Sequence, residues 1–128
     1  MHFTNFAIIV ISLLSASQNE IPIELKKVWI QFKTAVQTHD VTQIGTMTRF
    51  PLKSNLSIGN IKDIDSLKNN YKHIFKPIMI KNINTKQPEK DANYNGYIID
   101  FGSDDIPLII GFEKNKNTYK WTYIEEFH

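Results

Sequence analysis

The hydrophobic pattern of this chain changes its period partway along, and that change constrains the fold more than any other feature. Over residues 22–83 the apolar side chains recur every three or four positions, which is the spacing of helices packed by one face. After a polar linker at 84–93, segments rich in β-branched and aromatic residues follow at 94–101, 106–113 and 118–124. Helices followed by strands predict an α+β fold, and 128 residues leave room for one such domain.

The helical half predicts three main helices. Asp40, with Gln43 three positions later, is the pattern of a helix N-cap and predicts a short second helix. Asp63 or Asp65 is expected to cap the third. The first helix carries one apolar stripe, which predicts the face it buries: Leu25, Val28, Trp29, Phe32, Ala35 and Val36.

The last predicted strand alternates cleanly, and this predicts that Tyr119, Trp121 and Tyr123 share one face. Short turn-like links at 102–105 and 114–117 predict that the three strands form an antiparallel meander. The aromatic row is expected either to join the core or to face outward as a surface for a protein partner or a second copy.

The amino terminus has the pattern of a signal peptide. Residues 6–14 form a nearly continuous apolar run, shorter than the about 20 residues that cross a bilayer. Small residues follow at Ser15, Ala16 and Ser17, so we expect cleavage near Ser17 and a mature domain over 18–128. The protein is then expected to be periplasmic or secreted, with no membrane contact after cleavage. The alternatives are an apolar first strand or buried helix of the fold, or a retained membrane anchor.

The composition excludes several kinds of chemistry. There are no cysteines, which excludes disulfides, thiolate catalysis and cysteine–zinc sites, and an exported domain without them is ordinary for a bacterium. The net charge is +2 with both signs interspersed, so the basic stripe of a nucleic-acid binder is missing. No paired-histidine motif and no GxSxG motif is present. We therefore predict no metal, no cofactor and no serine nucleophile.

Three short segments together resemble a known family. They are residues 50–52 (Phe-Pro-Leu) after two short helices, 71–75 (Tyr-Lys-His-Ile-Phe) on a later helix, and 120–125 (Lys-Trp-Thr-Tyr-Ile-Glu) on the final strand. This layout, over about residues 21–127, resembles small exported bacterial members of the NTF2-like (cystatin-like cone) superfamily. The resemblance implies N-terminal helices packed on a curved antiparallel β-sheet, often around a pocket. It implies little about chemistry, because such superfamilies host unrelated functions on one fold.

The candidate catalytic residues are Asp100, Tyr71 and Tyr97. A carboxyl group enclosed in a cone-shaped pocket has its pKa raised and acts as a general base, assisted by a tyrosine. Asp100 shares a strand face with Ile98, and the alternative interpretation of Asp100 is a solvent-facing residue near a strand end.

The residues expected to line a ligand pocket share large aromatic side chains. The alternative interpretation of the same residues is plain core packing, which a domain this small also needs. They are Trp29, Phe32, Phe50, Tyr71, Phe75, Tyr97, Phe101 and Trp121, with Tyr123 beside them.

Three functions are compatible with these features. The first is an exported, non-enzymatic binding domain that holds a small apolar ligand or caps a protein partner, as immunity proteins cap toxins. The second is a SnoaL- or ketosteroid-isomerase-like enzyme that uses a pocket acid such as Asp100 with Tyr71 or Tyr97. The third is a structural module that forms a homodimer through its sheet. A filled interior with an exposed aromatic patch would favour the protein partner.

Overall fold

Helix α1 spans Ile23–Gln37 and buries the apolar stripe that its sequence predicts. The computed structural model describes residues 21–92, 95–102 and 107–127, so the predicted signal peptide and its cleavage site lie outside the described residues. The helix ends in a left-handed residue, His39, whose φ is 58°. The amide of His39 donates to the carbonyl of Val36, and the amide of Asp40 donates to the carbonyl of Ala35. These two bonds are those of a Schellman C-cap and set the direction of the chain toward the next helix.

The short helices begin at the aspartates that the sequence marks as caps. Helix α2 spans Val41–Thr46, and the Asp40 carboxylate accepts a hydrogen bond from the amide of Gln43. Helix α3 spans Ile64–Asn69, and its cap is Asp63, which accepts from the amide of Ser66. The predicted third helix is divided at Asn70 into α3 and a separate single turn. That turn is α4, Tyr71–Ile74, and it is followed by α5, Pro77–Asn82, and a 3₁₀ turn, Ile83–Thr85.

Five strands form one mixed sheet in the order β1-β5-β4-β3-β2. The antiparallel meander predicted for the carboxyl-terminal half is confirmed, since β3 pairs with β4 and β4 with β5 in antiparallel fashion. The brief strand expected near Phe50 becomes β1, which runs parallel to β5 at the sheet edge. The strands are β1, Thr48–Ser54; β2, Glu89–Lys90; β3, Tyr97–Asp100; β4, Leu108–Asn115; and β5, Thr118–Glu126.

A β-bulge in β5 changes which face its side chains occupy. Gly111 of β4 pairs with Tyr123 and Phe112 pairs with Trp121, which leaves Thr122 as the extra residue. Because an extra residue shifts the two-residue alternation by one, Tyr123 lies on the opposite face from Trp121 and Tyr119. The prediction that Tyr119, Trp121 and Tyr123 share one face is therefore wrong at Tyr123.

The helices pack on one face of the sheet, which we call the inner face; the opposite face is the outer face. Five fully buried aromatic rings join α1 and the turn after α4 to strands β4 and β5: Trp29, Phe32, Phe75, Phe112 and Trp121. Neighbouring ring centroids in this cluster are 5.2–6.2 Å apart, within the range of favourable edge and stacked contacts. This packing confirms the α+β fold class, with N-terminal helices on a sheet. Within the described residues, no helix is long and apolar enough to cross a bilayer.

Candidate functional site

The structure places most of the predicted pocket aromatics in the core. Six of them are at least 95% buried: Trp29, Phe32, Tyr71, Phe75, Phe101 and Trp121. The other two, Phe50 and Tyr97, are partly buried and pack against the same core. Their rings contact one another between α1 and the inner face. A small space at the edge of this core, beside Ile74, Met79 and Leu108, measures about 20 Å³ and has room for about one water molecule.

The three catalytic candidates lie apart. Asp100 is exposed on the outer face, where it pairs with Ile109 of β4 and accepts a hydrogen bond from the amide of Gly102. Tyr97 lies on the inner face, because it pairs with the core residue Phe112, and its ring makes an edge contact with Tyr119. The structure thus sets Asp100 and Tyr97 on opposite faces of one strand.

Tyr71 connects α4 to the end of α1. Its hydroxyl donates a buried hydrogen bond of 2.5 Å to the carbonyl of Val36. Its ring stacks on His39, with the centroids 3.8 Å apart. Burial raises the pKa of Tyr71 to about 12, so the phenol stays protonated and serves as a donor. Its position suits a structural link between two helices.

The outer face carries a groove that the sequence did not predict. Its volume is about 590 Å³, within the usual size range of ligand sites. The floor is formed by Tyr123 and Ile109, with Ile124 beside them, and the charged rim by Lys53, Asp91 and Glu125. The polar wall is formed by Ser54, Asn55 and Asn60.

One residue row crosses the whole sheet at this groove. Register pairs join Lys53 to Tyr123, Tyr123 to Gly111, Gly111 to Ile98, and Ile98 to Glu89. Gly111 is required here by close approach: a Cβ atom at this position would lie 1.9 Å from an atom of the Tyr123 ring. The tyrosine ring therefore lies directly over the glycine backbone, and its remaining surface lines the groove. A glycine in the middle of a strand is the one sequence signal that could have indicated such an approach.

The wall of the groove is held by side-chain hydrogen bonds to the backbone. Asn55 donates from its amide nitrogen to the carbonyl of Glu126 at 2.8 Å, and its oxygen accepts from the amide of the same residue at 2.7 Å. Asn60 accepts from the amide of Ser54, and the backbones of Leu52 and Ile61 form a bridge. These contacts tie the loop at 55–60 to β1 and β5. The groove is therefore largely preformed, which reduces the entropy lost on binding.

Negative charge surrounds the tyrosine of the groove. Burial raises the pKa of Tyr123 to about 12, and the charges of Asp91, Glu125 and Glu113 raise it further in that order. Glu113 also forms an ion pair of 2.9 Å with Arg49. At physiological pH the phenol is neutral and lies in a negative potential. The described residues contain no cluster of three or more His, Cys, Asp or Glu side chains placed to hold a metal ion.

The two raised tyrosine pKa values predict a loss of stability at alkaline pH. An unfolded tyrosine ionises near its ordinary pKa of 10, whereas folded Tyr71 and Tyr123 stay protonated until about 12. Their contribution is complete below pH 10 and is lost as the pH rises toward 12, because the unfolded state releases these protons first. We expect Tyr123→Phe to show a shallower alkaline decline in the free energy of denaturant unfolding than the wild-type protein. Equal slopes would contradict this assignment.

Comparison with known proteins gives one likeness of fold. No protein-family model matches this chain, and no curated protein matches it. Among solved structures, it is similar to an NTF2-like protein of unknown function from Cytophaga hutchinsonii, with 13% sequence identity and a TM-score of 0.45. The match covers 84% of this chain and 92% of that chain. It agrees with the NTF2-like resemblance that the sequence motifs imply, and a likeness of this size says nothing about activity.

Proposed function

We propose that this chain is an exported, non-enzymatic binding domain that holds a protein partner against the outer face of its sheet. The observation that carries the proposal is the groove over Tyr123. Its aromatic floor is fixed by contact with Gly111, and its wall is held by the Asn55 and Asn60 hydrogen bonds. Tyrosine on a preformed surface contributes large contact area at low entropic cost, and such residues carry much of the energy at protein interfaces.

The inner face supports the same proposal. The large aromatic side chains there already contact one another and are shielded from solvent, so they are committed to stability. A ligand between α1 and the sheet would have to displace these contacts. The outer groove offers its binding surface without disturbing the core.

A photo-crosslinking experiment tests the proposal. A photo-reactive phenylalanine analogue replaces Lys53 at the groove or, as a matched control, Gln37, which is exposed on α1. Illumination in the native host should give a discrete product with another protein at position 53 and none at position 37. A product of twice the chain mass would replace the proposal with the homodimer alternative. Equal products at both positions, or none at 53, would overturn it.

A further inference from the structure

We infer that the outer groove receives a positively charged side chain of the partner, an arginine on an extended segment, placed against the Tyr123 ring. This inference rests on the proposed function and specifies the chemistry of its site. It is argued from the groove geometry, from the charges on the rim, and from the way other rings of this chain are used.

The geometry leaves one side of the Tyr123 ring to a ligand. The side that covers Gly111 is filled by backbone, and the remaining ring surface lines the groove beside Ile109. A guanidinium group is planar, stacks on aromatic rings and is weakly hydrated, so it suits a flat floor of this kind. The methylene stem of the same arginine would lie along Ile109.

The charges around the groove favour a cation. Two carboxylates, Asp91 and Glu125, line it against one ammonium group, that of Lys53. Asp100 lies next to Ile109 on the same face, which adds a further negative charge along the row. An anionic side chain would be repelled by these groups, and an uncharged one would leave carboxylates partly desolvated without a counter-charge. The cation is therefore expected on the side of Asp91 and Glu125, away from Lys53.

Other aromatic rings of the chain already accept cations. The ammonium group of Lys90 lies 5.2 Å from the centroid of the Tyr97 ring, and that of Lys33 lies 5.5 Å from the Trp29 ring. Both distances fall within the range of cation–π attraction. At the groove, the same kind of contact would be supplied from outside the chain and reinforced by two carboxylates.

The test compares two peptides that differ in charge and hardly in shape. The full-length protein is titrated with acetyl-Gly-Arg-Gly-amide or with the citrulline peptide, while the amide NMR signals of Gly111 and Tyr123 are followed. We expect the arginine peptide to bind at least about tenfold more tightly than the citrulline peptide. We also expect its affinity to fall several-fold at about 0.5 M salt, where charge interactions are screened. Equal affinities, or no shift of these signals with the arginine peptide, would overturn the inference.

Matched variants locate the effect. Glu125→Gln should weaken the arginine peptide several-fold and leave the citrulline peptide unchanged, whereas Glu24→Gln, an exposed site on α1, should change neither. Failure of the inference is distinguishable from failure of the proposed function. A partner cross-linked at position 53 together with equal peptide affinities would retain the function and reject the arginine. Arginine selectivity with no cross-linked protein would do the reverse.

Discussion

Replacing Phe32 with alanine is expected to lower the free energy of unfolding by about 3–5 kcal/mol. The Phe32 side chain is fully buried, and its ring contacts Trp29 on its own helix, Phe75 after α4, and Phe112 and Trp121 on the sheet. Truncation would remove contacts with all four neighbours and leave a cavity that rigid rings cannot collapse to fill. The midpoint of denaturant unfolding, with the slope of the transition unchanged, measures the loss.

Two further variants give this prediction its meaning. Ile30→Ala lies on the same helix with its side chain 60% exposed, so it should change stability by no more than about 0.5 kcal/mol. Phe32→Leu keeps much of the volume and should cost clearly less than Phe32→Ala. If Phe32→Ala cost under about 1 kcal/mol, the inner face would be loosely filled, and a ligand cavity there would again be a reasonable expectation.

Replacing Gly111 with alanine is expected to displace the Tyr123 ring and to destabilise the protein by about 1–3 kcal/mol. The added methyl group would lie 1.9 Å from a ring atom and within 2.6 Å of two others, and the ring cannot keep its place at such distances. The floor of the groove would then be lost while the inner core remained intact. Stability is measured by denaturant unfolding, and the position of the ring by the amide signals of β4 and β5.

A double-mutant cycle separates the clash from the ordinary effect of a strand alanine. In the Tyr123→Ala background the clash is absent, so Gly111→Ala should be nearly neutral or stabilising. The interaction energy between the two positions is then expected to be at least about 1 kcal/mol. Additive effects of the two substitutions would mean that the Tyr123 ring does not rest on Gly111.

Features encoded in short stretches of sequence were predictable. The buried stripe of α1 follows from helical spacing, and the caps at Asp40 and Asp63 follow from the position of an aspartate before an apolar run. The three carboxyl-terminal strands follow from β-branched and aromatic content between turn residues. Each of these signals is local, and the structure agrees with each of them.

Features that depend on pairing between distant segments were not predictable. The extra residue at Thr122 is defined only by the register of β5 against β4, and it moves Tyr123 to the outer face. The parallel pairing of β1 with β5 joins segments separated by all the helices and strands between them, and it brings Lys53 beside Tyr123. The groove is made by these two long-range pairings, so no local pattern could reveal it.

The pocket prediction was limited for a related reason. Large aromatic residues line pockets and also fill cores, and a domain of this size needs most of its rings for the core. Sequence alone does not distinguish the two uses at Trp29, Phe32 or Trp121. The structure places all three in the core, and it gives an exposed aromatic surface to Tyr123.

The central claim is that binding occurs on the outer face, at the groove whose floor is Tyr123 resting on Gly111. Its most direct test is the cross-link at position 53 measured with and without Gly111→Ala, in protein shown to be folded by its amide spectrum. The account predicts that the partner product forms with Gly111 and is largely lost with alanine. Undiminished product in the folded Gly111→Ala protein would contradict it.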